Sequence, residues 1–395
     1  MKYVVILCDG MSDHPQPEFG GKTPMQVAQK PNMDRICAAG ETGLLNTGVP
    51  ELPMGSDVGN MTVLGYDPRK YYSGRAPLEA LNLGVELAKG ETAFRCNLVH
   101  IKDGVMDDYS AGHISTNDAG ELIKMLGKRV GTDKLRFVPG TQYRHLVMIK
   151  GAGFENAKCT PPHDISGKKI EAFLPTGAKG GELKQLMLDS QFLLEGHEVN
   201  RERRSEGKKT ANMIWLWGQG KGVEFPSFES RFHVKGAVIS AVDLIKGLGR
   251  ALSLDVIEVP GVTGWIDTNF KGKADAALKV LKKKDFVFVH FEVTDEAGHK
   301  GDHATKVKGI EAVDAQVLGP ILEALKGQDF KLMILPDHPT PLETRTHANE
   351  PVPYLIFDSR KQEGGSALAY DEASALSTGK HLVQGWDMME RFIKE

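Results

Sequence analysis

Three short apolar runs, each leading into an aspartate, constrain this chain more than any other feature. Tyr3–Leu7 (YVVIL) runs into Cys8-Asp9-Gly10, Phe286–Phe291 is followed four residues on by Asp295, and Leu332–Leu335 runs into Asp337-His338. Continuous, β-branched runs of this length suit strands buried on both faces of a parallel sheet. Parallel strands need crossover helices, and Ile310, Val313, Val317, Ile321 and Leu325 recur at helical spacing ahead of the third run. In open α/β sheets, ligands bind outside the carboxyl ends of the strands. The three aspartates are therefore predicted at one functional edge, with further strands at Ala237–Ala241, at DVIEV from Asp255, and at Tyr354–Phe357.

Between these α/β stretches the character changes. From Phe94 to Gly222 the chain is strand-like, polar and loop-rich, with one helical stretch over Gly181–Leu194 and a charged run from Arg201 to Lys209. The pattern predicts an α/β core formed by 1–95 and 223–395, interrupted by an inserted α+β cap domain at 96–222. Within the insertion, WGQGKG (Trp217–Gly222) reads as a hairpin turn.

The balance of 49 basic against 52 acidic residues, net charge −3, gives no global field to attract nucleic acid or an anionic membrane. No apolar run approaches a membrane-spanning length, and Met1–Gly10 reads as a buried strand rather than a signal peptide, so a cytoplasmic location and no membrane partner are expected. Four cysteines without a CxxC pair suggest neither a disulfide framework nor a zinc knuckle.

Metal-ligating chemistry gathers after the apolar runs. Asp295 and His299 are four residues apart, so one helical turn puts both on one face. Asp337 and His338 are adjacent where the chain turns after a strand, His347 precedes another strand, and Asp9 closes the first. Carboxylate and imidazole together suit zinc, manganese or iron better than calcium or magnesium, and the number of candidates favours two ions. Two ions about 4 Å apart hold a phosphoryl group and lower the pKa of a bound hydroxyl. Ser56, between Gly55 and Asp57 and ahead of Val58, Met61, Val63 and Leu64, opens a predicted helix whose N-terminus favours an anion. Gly-Ser-Asp is also ordinary turn chemistry; the aspartates and histidines elsewhere make Ser56 the nucleophile of choice.

These segments carry a resemblance. LCDGMSD, PMGSDVGNMTVLGYDP, TDEAGHKGD, PDHPTP and RTHANEPVPYLIF together resemble the alkaline phosphatase superfamily, and the whole chain is similar to its archaeal-type cofactor-independent phosphoglycerate mutases. GRAPLEALNLGVEL, FRCNLVHIKDG, AGHIST, ANMIWLWGQG, VPGVTG and DFVFVHFE extend the match nearly end to end. The resemblance implies a three-layer α/β/α core with an inserted cap. It implies one metal on Asp295, His299 and His347, and another on Asp9, Ser56, Asp337 and His338. The ions would be divalent, with manganese expected and zinc, cobalt or iron accepted by the same ligands, and no bisphosphoglycerate would be needed. The implied reaction interconverts 2-phosphoglycerate and 3-phosphoglycerate through a phosphoserine on Ser56. Departures, Ala-Asn-Glu after His347 and Val293-Thr294 before Asp295, leave every expected ligand in place and bear on fine specificity.

A small phosphorylated substrate also needs cationic donors. His113, Arg144, Asn200, Arg204 and Lys246 are the candidates, with Arg203 as a neighbour, although Arg201–Lys209 is also what a solvated charge run looks like. The competing reading is a phosphomonoesterase or phosphotransferase on the same core, homoserine kinase included. The sequence leaves the oligomeric state open.

Overall fold

Each expected apolar run forms a strand of one sheet. The computed structural model describes residues 1–361 and 369–395. In chain order its strands are β1 (Lys2–Cys8), β2 (Glu41–Leu45), β3 (Glu91–Lys102), β4 (Val105–Asp108), β5 (Leu135–Val138), β6 (Arg144–Lys150), β7 (Ala157–Lys158) and β8 (Thr176–Gly177). They continue as β9 (Met213–Lys221), β10 (Gly236–Ile239), β11 (Asp255–Val256), β12 (Phe286–Phe291), β13 (Phe330–Leu335), β14 (Val352–Asp358) and β15 (His381–Leu382). The residues divide into two units, Met1–Tyr72 with Phe225–Glu395, and Ser73–Glu224.

The first unit holds a sheet in the order β11-β10-β12-β1-β13-β14-β2-β15. β1 lies at its centre, parallel to β12 on one side and β13 on the other. Its even-numbered side chains, Val4, Ile6 and Cys8, enter a core with Phe270, Ala274, Ile310, Val313, Val317 and Ile321, carried by the helices Phe270–Leu281, His303–Val313 and Gly319–Ala324 and the π turn Asp314–Leu318. The opposite face is covered too: Tyr3 packs edge-on to Phe392 and Phe286 against Phe228, with ring centroids 5.8 and 4.4 Å apart. Helices on both faces make three layers, and they bury the central strands on both sides, which is why these read as continuous apolar runs. β14 is antiparallel to both β13 and β2, a reversal that the apolar pattern does not encode.

One buried ion pair ties the loops at the carboxyl edge together. Lys306, fully buried on the helix His303–Val313, donates to Asp13 Oδ2 at 2.7 Å and to the carbonyls of Thr340 at 2.8 Å and Ser12 at 3.4 Å. Asp13 in turn accepts from the backbone N–H groups of His14 and Leu342 and from Gln16 Nε2. The loops after β1 and β13 are thus fastened to one helix.

The second unit starts earlier than expected. β3 runs unbroken through residue 95, pairing with β6 and β9 from Thr92 onward, and the helix Arg75–Asn82 packs Ala76 and Ala80 against Ala93, Leu146 and Met148. The boundary expected at 95/96 would cut a strand, and the packing moves it to 72/73; the return falls at 224/225 instead of 222/223. Trp217–Gly222 is a correction as well. It lies largely within β9, where Ala93 pairs Gly220 but Arg95 pairs Trp217, so one extra residue bulges out. Gly218 at φ +60° supplies the left-handed conformation, and the strand continues past it. Within β6 of this sheet His145 is buried, its Nδ1 accepting from Gly140 N at 3.0 Å. Burial pushes its pKa down to about 3.

Lys306→Met is expected to destabilise the protein by about 3–5 kcal/mol, because it strands a buried carboxylate. Lys308→Met, exposed on the same helix, is expected to stay within about 0.5 kcal/mol by denaturant unfolding. His145 gives a pH signature. The unfolded chain takes up its proton near pH 6.5 and the folded chain only near 3, so stability falls as pH drops through this window, by up to about 1.4 kcal/mol per unit. His145→Phe should flatten that part of the stability–pH curve.

Candidate active site

The carboxyl edge collects side chains from five separate segments. Asp9 follows β1, and Asp337 and His338 follow β13. Asp295 and His299 lie one turn apart on the helix Val293–Lys300 after β12. His347 precedes β14, and because β14 runs antiparallel it begins at the edge where β13 ends. Ser56 is the first residue of the helix Ser56–Val63, after Gly55. Two glycines allow the close packing. Gly10 has φ +61° and sits where a Cβ would be 2.5 Å from Thr340 Oγ1, and a Cβ on Gly59 would be 2.6 Å from the Asp337 carbonyl oxygen. The glycine inside SDVGN is therefore a contact requirement of this helix.

The side chains converge closely. Ser56 Oγ is 3.3 Å from His338 Nε2 and 3.5 Å from Asp9 Oδ1, and His338 Nε2 is 3.3 Å from Asp9 Oδ1 and 3.5 Å from Asp337 Oδ2. His299 Nε2 is 3.1 Å from His347 Nε2 and 3.3 Å from Asp295 Oδ2, and His347 Nε2 is 3.6 Å from Asp295 Oδ1. Among the described residues, two groups bring three potential ligand atoms within 4.8 Å of one another: Asp295, His299 and His347, and Asp9, Asp295 and His338. Asp295 belongs to both and so bridges them. Asp9, Ser56, Asp295, Asp337 and His338 are buried, while His347 is half-buried and His299 exposed, so the cluster opens on the histidine side.

Surrounding groups set the tautomers. His299 Nδ1 lies 2.9 Å from the Arg345 carbonyl and His347 Nδ1 lies 3.3 Å from that of Met54. A carbonyl only accepts, so both Nδ1 atoms carry a proton and both Nε2 atoms face the cluster. Thr340 does the same for His338: its hydroxyl donates to Asp295 Oδ1 at 2.5 Å and accepts from His338 Nδ1 at 3.1 Å. Asn60 Nδ2 donates to Asp337 Oδ2 at 2.7 Å and to the Ser56 carbonyl at 2.9 Å, coupling nucleophile candidate and carboxylate. His290, fully buried in β12, reaches Asp9 Oδ2 at 3.0 Å.

Charge is the dominant fact of this edge. Burial, then the charges of Asp337, Asp295 and Glu292, push Asp9 well above the usual carboxylate range. Burial works against ionised Asp295 too, but hydrogen bonds from His299 and His347 outweigh it and hold its carboxyl well below that range. Burial would lower His299, yet the hydrogen bond and charge of Asp295 carry it up to about 9. Burial lowers His338, and burial with the Lys273 charge takes His290 down to about 3.

The expected substrate-binding side chains are more scattered. In the second unit His113 and Arg144 flank one ring: the His113 ring is centred 6.4 Å from that of Tyr143, and the Arg144 guanidinium lies over Tyr143 at 4.4 Å. Both are exposed. Arg204 is exposed and paired with Glu195 at 3.0 Å. Lys246, in the first unit, pairs with Glu258 at 2.8 Å. Asn200 is a correction. It is fully buried, donates to the carbonyls of Leu194 and Ala211, and accepts from Ala211 N, so its amide is spent on holding the helix Glu198–Ser205 to the chain that returns past it. Arg203 is likewise buried and bonded to the carbonyls of Lys209 and Ala111.

Sequence reasoning passed over His290, Thr340, Asn60 and the arginines Arg75 and Arg95. The signal for two of them was present, since a histidine in FVFVHF and an arginine in FRCNLV interrupt otherwise apolar strands. Arg95 is buried over the Trp217 ring at 4.0 Å and paired with Glu79 at 3.0 Å. Burial pushes it down to about 10, opposed by Glu79 and reinforced by the neighbouring charges of Arg75 and Arg144. The charges of Arg75, at the start of the helix Arg75–Asn82, and of Arg144 in β6 thus both reach Arg95.

Comparison with known proteins places the chain. A sequence model of the 2,3-bisphosphoglycerate-independent phosphoglycerate mutases matches residues 37–200. The chain is 50% identical over 396 residues to the protein of that name from Methanosarcina barkeri, with all of both chains covered. Among solved structures it resembles the PH0037 protein of Pyrococcus horikoshii at 31% identity and TM-score 0.83, covering 99% of this chain and 96% of that one. It also resembles the cofactor-independent phosphoglycerate mutase of Thermoplasma acidophilum at 25% identity and TM-score 0.66, covering 100% and 99%.

Thr340→Val removes one hydroxyl that serves both Asp295 and His338. It is expected to cost about 1–3 kcal/mol in denaturant unfolding, since each buried partner loses a hydrogen bond. Thr344→Val, exposed in the same loop, is the control and should change stability by less than about 0.5 kcal/mol.

Proposed function

The chain belongs to the family of 2,3-bisphosphoglycerate-independent phosphoglycerate mutases, and from that premise we propose that it interconverts 2-phosphoglycerate and 3-phosphoglycerate through a phosphoserine on Ser56, held between two divalent ions. The observation that carries this reading is the position of Ser56 Oγ, at a helix N-terminus and within 3.5 Å of both Asp9 and His338.

The residues fit a pair of cations on physical grounds. Asp9, Asp295 and Asp337 are buried together, and Asp9 is raised by burial and then by the charges of the other two. Three imidazoles turn Nε2 inward, and His299 is driven to hold a second proton beside Asp295 and His347. A divalent ion would replace that proton and offset the carboxylate repulsion. Asp295, His299 and His347 would hold one ion, and Asp9, Ser56, Asp337 and His338 the other. Donors of this kind accept manganese, zinc, cobalt or iron, and manganese is the ion expected. When bound, the ions supply positive charge for the phosphoryl oxygens and lower the pKa of the serine hydroxyl.

The chain's own groups account for the remaining steps. The N–H groups at the start of the helix Ser56–Val63 favour the incoming phosphate. Ser56 Oγ gives up its proton and forms a bond to phosphorus as the ester oxygen of the substrate leaves, and the freed glycerate oxygen takes up one proton in exchange. The retained glycerate presents its other hydroxyl, which takes the phosphoryl group back and restores the serine. No bisphosphoglycerate enters this cycle. Asn60 keeps Asp337 and the Ser56 backbone in fixed relation throughout. The unit Ser73–Glu224 is proposed as the substrate-binding insertion, with Arg75, Arg95, Arg144 and His113 as its anion-binding groups, a small phosphorylated acid being the partner they suit.

The test is a coupled assay with manganese, 3-phosphoglycerate and enolase, with free phosphate followed in parallel. Phosphoenolpyruvate formed without added bisphosphoglycerate is the expected result, and release of inorganic phosphate in its place would make the enzyme a phosphomonoesterase. Ser56→Ala is expected to lower turnover by roughly 10⁴-fold or more while calorimetry still detects bound manganese. Chelation should abolish turnover and added Mn²⁺ should restore it.

A further inference from the structure

A row of polar groups crosses the sheet just behind the site. β10, β12 and β1 are neighbours, and their registers pair Ile239 with Val289 and Leu7 with His290. Ser240, one residue past β10, therefore falls level with His290, and Asp9 lies just past the end of β1. The side chains make contact along this row: Ser240 Oγ is 3.2 Å from His290 Nδ1, and His290 Nε2 is 3.0 Å from Asp9 Oδ2. All three residues are buried.

The direction of these bonds follows from what each group is able to do. Asp9 only accepts once it is ionised, the state in which it would serve as a ligand, and in that state Nε2 donates. A ring enclosed in apolar strands is neutral, which leaves Nδ1 without a proton and in need of a donor. Ser240 is that donor, because its oxygen already accepts from Val242 N at 3.0 Å and its hydroxyl proton is free to point to the ring. The backbone is held as well: Lys273 Nζ donates to the His290 carbonyl at 2.7 Å.

We infer that His290 is a positioning residue, oriented by Ser240, that occupies Asp9 Oδ2 and leaves Oδ1 as the oxygen directed at Ser56 and His338. Oδ1 lies 3.5 Å from Ser56 Oγ and 3.3 Å from His338 Nε2. A carboxylate free to rotate would offer either oxygen, or both, to the same ligand; His290 removes that choice. The consequence for metal binding rests on the reading of Asp9 as a ligand, whereas the hydrogen-bond relay does not.

The two parts are tested separately. Nitrogen-15 NMR of the metal-free protein with labelled histidine, taken at a pH high enough to ionise Asp9 and with His290 assigned by its loss in His290→Gln, should show a protonated Nε2 and a bare Nδ1. In Ser240→Ala this tautomer should lose its dominance; a protonated Nδ1 in the wild type would overturn the relay. Calorimetric titration with Mn²⁺ should show His290→Leu weakening one of two ions by about 10- to 100-fold and leaving the other within about twofold. His290→Gln, whose amide still donates, should recover most of that loss. Wild-type affinity for both ions in His290→Leu, or equal weakening of both with a matching drop in melting temperature, would show a packing role only. A wild-type protein that binds no Mn²⁺ would overturn the metal-site reading and the positioning role with it, and the NMR result would still decide the relay.

Discussion

Three carboxylates, Asp9, Asp295 and Asp337, are buried within reach of one another at the end of the central strands, and most of the surrounding architecture answers to that fact. Such an arrangement is electrostatically unfavourable in a low-dielectric interior unless each group is hydrogen-bonded or the charge is offset. Asp337 is received by Asn60 and by the backbone N–H of Gly10, Asp295 by Thr340 and two histidines, and Asp9 by His290. What these donors leave over is net negative charge. Under the proposed function, cations placed between this cluster and a phosphate would turn the repulsion into attraction.

Rigidity at this edge comes from beneath it. Lys306 fastens the loop after β1 to the loop after β13 through Asp13, Ser12 and Thr340, and Thr340 is also the residue that orients His338 and Asp295. The ion pair and the site therefore share a loop. A buried pair of this kind contributes little net stability over an apolar one, but it allows a single arrangement of the chain. Glycine does the complementary work by absence of a side chain, since Gly59 lets the helix that carries Ser56 lie against the Asp337 backbone.

The insertion follows a different principle. Its arginines are held by aromatic faces and single carboxylates: Arg95 between Trp217 and Glu79, Arg144 over Tyr143. Guanidinium groups fixed in this way are oriented before a ligand arrives, which limits the side-chain ordering that binding would otherwise require. Arg204 differs in that both it and its partner, Glu195, are exposed.

The sequence by itself determined the central sheet, because strands buried on both faces must be apolar at every position, and it determined where chemistry would stand, because aspartates closing such strands mark the carboxyl edge. It also determined the helix start at Ser56 and the shared face of Asp295 and His299, both local consequences of helical geometry. Tertiary structure alone decided the rest. The reversed direction of β14 brings His347 to the same edge, and no local pattern records strand direction. The start of the insertion depends on which sheet β3 joins, and the glycine-rich end of β9 becomes a bulge instead of a turn because β3 is there to pair with it. Asn200 and Arg203 looked like ligand-binding groups in a charged run and proved to be internal ties, because hydrogen-bond partners eleven or ninety residues away are invisible along the chain. Thr340 was hidden for the same reason, and His290 stood out in its apolar strand without showing what it orients: a residue's role in orienting another depends on distance in space, which only the fold supplies.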